Sequence, residues 1–141
     1  MSELRKFVET ITPIAKSNVK KFGDHVPMVF AKIGGDVVSV AVLGGRNEMK
    51  ACINQFKMAG AEWIVVVNTM WYKTVDSLEE VEKWHGDLEK DPGRREILAV
   101  MGFSPSEQHF RFFEIVRNGE IELKELKFGD NVFIAGYLAP W

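Results

Sequence analysis

The feature of this chain that most constrains its fold is a run of five apolar residues, Trp63-Ile64-Val65-Val66-Val67. A strand with one face in water alternates apolar with polar residues, whereas a strand covered on both faces is apolar throughout. The run is also rich in β-branched side chains, which favour extended backbone. We therefore predict a central strand that begins at Trp63 and continues to Tyr72.

A first helix is predicted near the start of the chain. Apolar residues recur at helical spacing from Leu4 to Phe22, and Gly23 follows as a stop. Pro13 lies inside this pattern, and a proline ring clashes with the carbonyl of the preceding turn. We therefore expect either a kink at Pro13 or a late helix start near Thr12.

A hairpin and a second helix are predicted next. The segments Val26–Ile33 and Val37–Leu43 are joined by Gly34-Gly35, and adjacent glycines supply the positive φ values of a two-residue hairpin turn. The helix that follows ends at Gly60 and has an apolar side that contains Met49, Cys52, Ile53 and Phe56.

A third helix and four strands are predicted after the central strand. The helix is expected from about Ser77, and Asp91-Pro92-Gly93 ends it. Tight turns at Ser104–Glu107 and Asn118-Gly119 then divide a meander. Its strands are predicted at Glu96–Phe103, Gln108–Arg117, Glu120–Lys127 and Val132–Leu138.

Together these elements predict an α+β fold, an α/β sandwich in a single domain spanning residues 1–141. Strands joined by tight turns must pair antiparallel, and helices inserted between strands cover at least one face of the sheet. We expect a mixed, mostly antiparallel sheet of about six to seven strands with three helices. The predicted order is α-β-β-α-β-α-β-β-β-β.

The composition argues against several classes of function. A net charge of −2 argues against a dedicated nucleic-acid binder, which needs a clustered basic face. The longest apolar run is too short to span a membrane, and no signal peptide is visible, so a cytoplasmic location is predicted. The lone Cys52 is interpreted as a buried, inert thiol. His25, His85 and His109 lack metal-ligand spacing, and we predict no metal site and no cofactor.

Charge is unevenly distributed along the chain. Residues 1–21 contain five basic and two acidic side chains, whereas residues 76–91 contain seven acidic and two basic ones. Two interpretations stay open at this point. The charges are either two solvated helix faces or complementary patches that meet within or between chains.

The segment Gly44-Gly45-Arg46-Asn47 follows a predicted strand and precedes a predicted helix. Glycines before a helix can hold an anion through backbone N–H groups. The pattern matches neither nucleotide-binding glycine motif, so a plain connecting loop is the preferred interpretation.

The leading candidate binding site consists of Asp91, Arg94, Arg95 and Glu96, together with Trp71. Arginine forks bind carboxylate or phosphate groups, and a nearby carboxylate can act as a general base. An aromatic residue near a strand end often lines a pocket, although core packing is an alternative for Trp71. The alternative for the charged residues is an ion-pair cluster between helix and sheet. Strand alternation sends Arg94 and Glu96 to one face and Arg95 to the other.

Self-association is predicted from the last third of the chain. In Ile97–Met101 and Phe110–Phe113, apolar side chains point to both faces of the strand. If the helices cover only one face, a second copy of the chain is the simplest cover for the other. We therefore expect a homodimer or a higher homo-oligomer.

The chain resembles a loosely defined family of small uncharacterised prokaryotic and phage proteins. The resemblance rests on Ala59-Gly60-Ala61, on the strand from Trp63 to Trp71, and on Pro92–Leu98, where an Arg-Arg-Glu group opens a strand. Family members often have an acidic residue shortly before the strand-end tryptophan, but this chain has Asn68-Thr69-Met70 there. The resemblance implies no established activity and assigns no functional residue.

Two alternative hypotheses for the function follow from these observations. The first is a non-catalytic binding or protein-interaction module that self-associates, because no catalytic set is visible. The alternative is a small hydrolase-like enzyme that uses the cluster at residues 91–96 on an anionic substrate. The alternative requires Arg94, Arg95 and Glu96 to converge with Trp71 in one pocket.

Overall fold

The computed structural model of the protein describes residues 1–73, 79, 90, 92–127, 140 and 141. These residues form two helices and six strands. Their bounds are α1 (Glu3–Phe22), β1 (Met28–Ile33), β2 (Asp36–Ala41), α2 (Arg46–Met58), β3 (Trp63–Tyr72), β4 (Arg95–Phe103), β5 (Gln108–Asn118) and β6 (Glu120–Leu126). Within the described residues, no helix is long and apolar enough to cross a membrane.

The six strands form one sheet in the order β2-β1-β3-β4-β5-β6. Every pair of neighbouring strands is antiparallel. The predicted α+β class with an antiparallel sheet is therefore confirmed, but the sheet in this part of the chain contains no parallel pair and is not mixed. The predicted third helix from about Ser77 and the predicted strand Val132–Leu138 lie outside the described residues.

Strand β3 lies in the middle of the sheet, between β1 and β4. Its first five residues are between 0 and 5% exposed. Trp63, Val65 and Val67 pack into the core under α1, whereas Ile64 and Val66 pack into the core on the opposite face. The prediction of a central strand covered on both faces is confirmed.

Helix α1 is continuous through Pro13, so a late start near Thr12 is wrong. The Ser2 hydroxyl caps the helix by accepting a hydrogen bond from the Arg5 amide at 3.2 Å. Proline costs the helix one backbone hydrogen bond, but residues on both sides of Pro13 pack against the sheet and stabilise both halves as helix. The residues that pack there are Leu4, Val8, Ala15 and Val19.

Helix α1 lies close to the sheet at Gly102 of β4. A Cβ at this position would lie 2.7 Å from Cγ2 of Val8 and 3.0 Å from Cδ1 of Leu4. Only glycine leaves room for the helix at this distance, because ordinary carbon contacts are about 3.5–4.0 Å.

The opposite face of the sheet is packed in part by α2. Met49 and Ile53 of this helix are buried against Val29 and Ala31 of β1. Cys52 is half-buried on the same side, and burial raises the pKa of its thiol. This environment agrees with an inert thiol, because the thiolate is the reactive form.

Tight turns that contain glycine join the strands at the positions that the sequence predicts. Gly34 and Gly35, with φ of 57° and 90°, connect β1 to β2. Gly119, with φ of 86°, lies between the paired residues Asn118 and Glu120. Positive φ at these positions is accessible to glycine without steric cost.

Candidate functional site

The sequence-predicted site lies where β3 ends and β4 begins. In the antiparallel register, Trp71 is opposite Glu96, and Tyr72 is opposite Arg95. The guanidinium carbon of Arg94 lies 4.6 Å from the centroid of a ring of Trp71. This is a cation–π contact, so the structure brings together two of the predicted residues.

Glu96 is bound by an arginine that sequence reasoning did not include. Arg117 Nε and Nη2 donate to the two carboxylate oxygens of Glu96 at 2.9 and 3.0 Å. Nη2 also donates to the carbonyl of Gly23 at the end of α1, at 2.6 Å. The hydrogen bond that Arg117 donates to Glu96 raises the pKa of Arg117. Both carboxylate oxygens are therefore engaged in linking β4, β5 and α1.

Arg95 belongs to a separate cluster on the other face of the sheet. Its Nη1 lies 3.6 Å from Oε1 of Glu114, and the Tyr72 hydroxyl lies 3.5 Å from Oε2 of the same carboxylate. Burial raises the pKa of Tyr72, while a hydrogen bond with Arg95 acts in the opposite direction. Tyr72 packs against the α2-side core, whereas Leu98 and Val100 of β4 pack under α1.

The predicted site residues therefore divide between two faces. Trp71, Arg94 and Glu96 lie on the α1 side, and Arg95 lies on the α2 side, as strand alternation indicates. Asp91 lies outside the described residues. The single pocket that the hydrolase hypothesis requires is not formed by Arg94, Arg95 and Glu96. Among the residues that the structure describes, no three His, Cys, Asp or Glu side chains are grouped to hold a metal ion.

The glycine loop before α2 already has a carboxylate against it. The carboxyl group of Glu48 occupies the space that a Cβ at Gly44 would need. A carboxylate in the first turn of a helix interacts favourably with the backbone N–H groups there. This arrangement agrees with the interpretation of residues 44–47 as a connecting loop.

Strand β2 is the exposed edge of the sheet beside α2. All six of its residues are exposed, and within the described part of the chain it pairs with β1 alone. Val37, Val38 and Val40 are 46, 38 and 42% exposed. Asp36 is the only charged residue of the strand. The sequence predicted this strand but not its position at an edge, because its apolar residues resemble those of a covered strand.

The outward backbone groups of β2 follow from the register with β1. In a two-residue hairpin the residues that flank the turn, Ile33 and Asp36, exchange both hydrogen bonds. The same alternation brings the amides of Val38 and Val40 toward β1, and the Val42 amide donates to the carbonyl of Pro27 at 2.8 Å. The N–H and C=O groups of the alternate residues therefore point away from the sheet. These residues are Val37, Ser39 and Ala41.

Strand β6, at the other end of the described sheet, differs in its chemistry. It contains four charged residues, Glu120, Glu122, Lys124 and Glu125. Charged side chains along an edge discourage pairing with another strand, because pairing would remove them from water. Strand β2 has a single charged residue, Asp36, and in the part of the chain that the structure describes its outer side is unpaired.

The resemblance to small prokaryotic and phage proteins stays a prediction. Comparisons of this chain with protein-family models, with curated proteins and with solved structures found no match.

Proposed function

We propose that this chain is a non-catalytic protein-interaction module that self-associates by accepting an extended strand at the edge of β2. One observation carries the proposal: the outer side of β2 presents backbone N–H and C=O groups between exposed valines. An edge of this kind is a template for strand addition. In that binding mode, main-chain hydrogen bonds supply affinity and the alternate side chains supply selectivity.

The exposed valines add an apolar contribution to the same edge. Burying apolar surface contributes about 25 cal/mol per Å² removed from water. Val38 and Val40 lie on one face of β2, since they are opposite Ala31 and Val29 of β1. A strand added here would bury the backbone edge and this pair of side chains together.

A proline substitution at Ser39 tests the proposal. Proline lacks an N–H, and the Ser39 amide points away from β1, so Ser39→Pro removes an outward donor and leaves the β1–β2 ladder in place. Ser39→Ala is the matched control, because it keeps the backbone N–H. Circular dichroism and thermal unfolding establish that both variants are folded.

Light scattering coupled to size exclusion gives the result. We expect the mass of the wild-type chain and of Ser39→Ala to rise with concentration above the monomer mass of 16.0 kDa. Folded Ser39→Pro should stay at the monomer mass over the same range. A wild-type chain that stays monomeric throughout, or a proline variant that assembles like wild type, contradicts the proposal.

Three further parts of the proposal are supported by the sequence alone. We propose a cytoplasmic location, no cofactor and no nucleic-acid partner. Their support is the short length of the longest apolar run, the lack of a nucleotide or metal motif in the printed sequence, and the net charge of −2.

A further inference from the structure

We infer that the strand accepted by β2 is β2 of a second copy, related by a twofold axis that passes beside Ser39. The inference rests on the proposed function and specifies its partner and register. In a twofold dimer both copies contribute the same surface, so β2 must be complementary to a second β2 that runs in the opposite direction. The outward backbone groups and the side chains of β2 meet this requirement.

The backbone restricts the register. In an antiparallel pair, residues whose amides face the partner must lie opposite one another. On β2 these residues are Val37, Ser39 and Ala41. Centring the axis on Ser39 places Ser39 opposite Ser39, and Val37 opposite Ala41 in both directions. In this register all three of these residues in each copy pair with the other copy. The three facing pairs form about six hydrogen bonds, two in each pair.

The side chains agree with this register. Val38 of one copy lies opposite Val40 of the other, in the pairs where facing side chains are closest. Because the axis generates each contact twice, four exposed valines meet in one cluster. The cluster forms on the α2 side of the sheet, since Val38 and Val40 lie opposite Ala31 and Val29 of that core.

The charges near the ends of β2 are also complementary. In this register Asp36 lies opposite Val42 of the second copy, shortly before the exposed Arg46 that begins α2. Asp36 lies on the same face of β2 as Val38, which is the face where α2 packs. The symmetry therefore places Asp36 of one copy and Arg46 of the other at the same end of the paired strands. Opposite charges at matching positions favour a second copy over an unrelated apolar strand.

Cysteine cross-linking tests the register. In a background of Cys52→Ala, which removes the single native thiol, the substitution Ser39→Cys places two thiols across the axis. Cα atoms in such a pair are about 5.5 Å apart, within the range that a disulfide spans. Val37→Cys is the matched control, because in this register position 37 of one chain and position 37 of the other are offset by four residues, about 13 Å along the strands. The rate of disulfide-linked dimer formation is measured on non-reducing gels.

We expect Ser39→Cys to form the disulfide-linked dimer at least about tenfold faster than Val37→Cys, because only the first pair falls within bonding distance. An equimolar mixture of Val38→Cys and Val40→Cys chains, one of them tagged, should give mainly the mixed dimer. Equal rates for Ser39→Cys and Val37→Cys would overturn the register.

The outcomes separate this inference from the proposed function. If the wild-type chain assembles and Ser39→Pro does not, but Ser39→Cys shows no preference over Val37→Cys, β2 accepts a strand but not β2 of a second copy in this register, and the inference fails while the proposed function stands. If Ser39→Pro assembles like wild type, strand addition at β2 fails as the proposed function.

Discussion

Arg117 binds Glu96 through a two-bond fork and donates a third hydrogen bond to the carbonyl of Gly23. Glu96 lies at the start of β4, Arg117 near the end of β5, and Gly23 just after α1. One guanidinium group therefore connects two strands and the helix that covers them. Because both oxygens of the Glu96 carboxylate bind Arg117, Glu96 has a structural role and its carboxylate does not form an open binding site.

Removal of this fork should destabilise the protein. Arg117→Ala leaves the half-buried Glu96 carboxylate and the Gly23 carbonyl without these donors, so we expect a loss of about 1–2 kcal/mol in the free energy of unfolding. Arg117→Lys keeps the charge but not the fork and should lose less. Urea denaturation measures both. Arg5→Ala, at an exposed position of α1, is the control, and an Arg117→Ala variant no less stable than this control contradicts the structural role.

The close approach of α1 to β4 predicts a penalty for any side chain at Gly102. Gly102→Ala places a methyl group 2.7 Å from Cγ2 of Val8, and overpacking of this kind costs roughly 1–3 kcal/mol. In the background of Val8→Ala the nearest contact is removed and Leu4 Cδ1 at 3.0 Å becomes the closest, so the penalty should be smaller. A double-mutant cycle by urea denaturation measures the difference. Equal penalties in the two backgrounds would show that Val8 is not the limiting contact.

Glu3, in the first turn of α1, accepts a hydrogen bond from the buried indole of Trp63. Trp63 Nε1 donates to the Glu3 carboxylate at 3.0 Å, and Lys32 Nζ lies 3.0 Å from the same oxygen. Glu3→Ala leaves both groups without this partner, whereas Glu3→Gln keeps a neutral acceptor. We therefore expect the melting temperature to fall more for Glu3→Ala than for Glu3→Gln, by differential scanning calorimetry. Equal falls for the two variants would show that the charge of Glu3, rather than its acceptor oxygen, matters for stability.

Acid should weaken the contact between α1 and the last described strands. Arg111 donates to Glu9 of α1 at 2.9 Å and to Glu125 of β6 at 2.8 Å, and its hydrogen bond lowers the pKa of Glu125. A carboxyl group whose pKa is lowered by folding stabilises the fold fully above its ordinary pKa. That contribution is lost as pH falls through the folded-state pKa.

The free energy of unfolding should therefore decrease from about pH 5 downward. The share from Glu125 is below about 1 kcal/mol, because the side chain is 37% exposed and solvent screens the pair. Glu125→Gln should reduce the difference between urea midpoints measured at neutral and acidic pH. Glu120→Gln, at the exposed hairpin, is the control and should leave that difference unchanged.

The covered strand and the hairpins could be predicted because their signals are local. Trp63–Val67 has no polar residue, and Gly34-Gly35 has the backbone freedom that its turn requires. The late helix start near Thr12 was wrong for the opposite reason: packing of α1 against distant strands outweighs a local rule. The edge position of β2 was missed because strand order depends on the non-local pairing of β1 with β3.

At the candidate site, too, the local feature could be predicted from the sequence and the non-local partners could not. Alternation along β4 correctly separated Arg95 from Glu96, because side-chain direction has a fixed period in a strand. The partners of these residues come from other elements: Arg117 and Glu114 from β5, and Trp71 from β3. No spacing in the sequence indicates which distant side chain will be opposite a given position until the register of the sheet is known.

The packing of α1 also has a consequence for biosynthesis. The helix is synthesised before the strands that it covers, because its buried residues pack with Leu98, Val100 and Phe113, which lie much later in the sequence. At roughly 5–20 residues per second, the ribosome takes several seconds to supply them. Until then the apolar stripe of α1 has no sheet to cover and stays exposed, so a chaperone that binds exposed apolar segments has time to bind this helix.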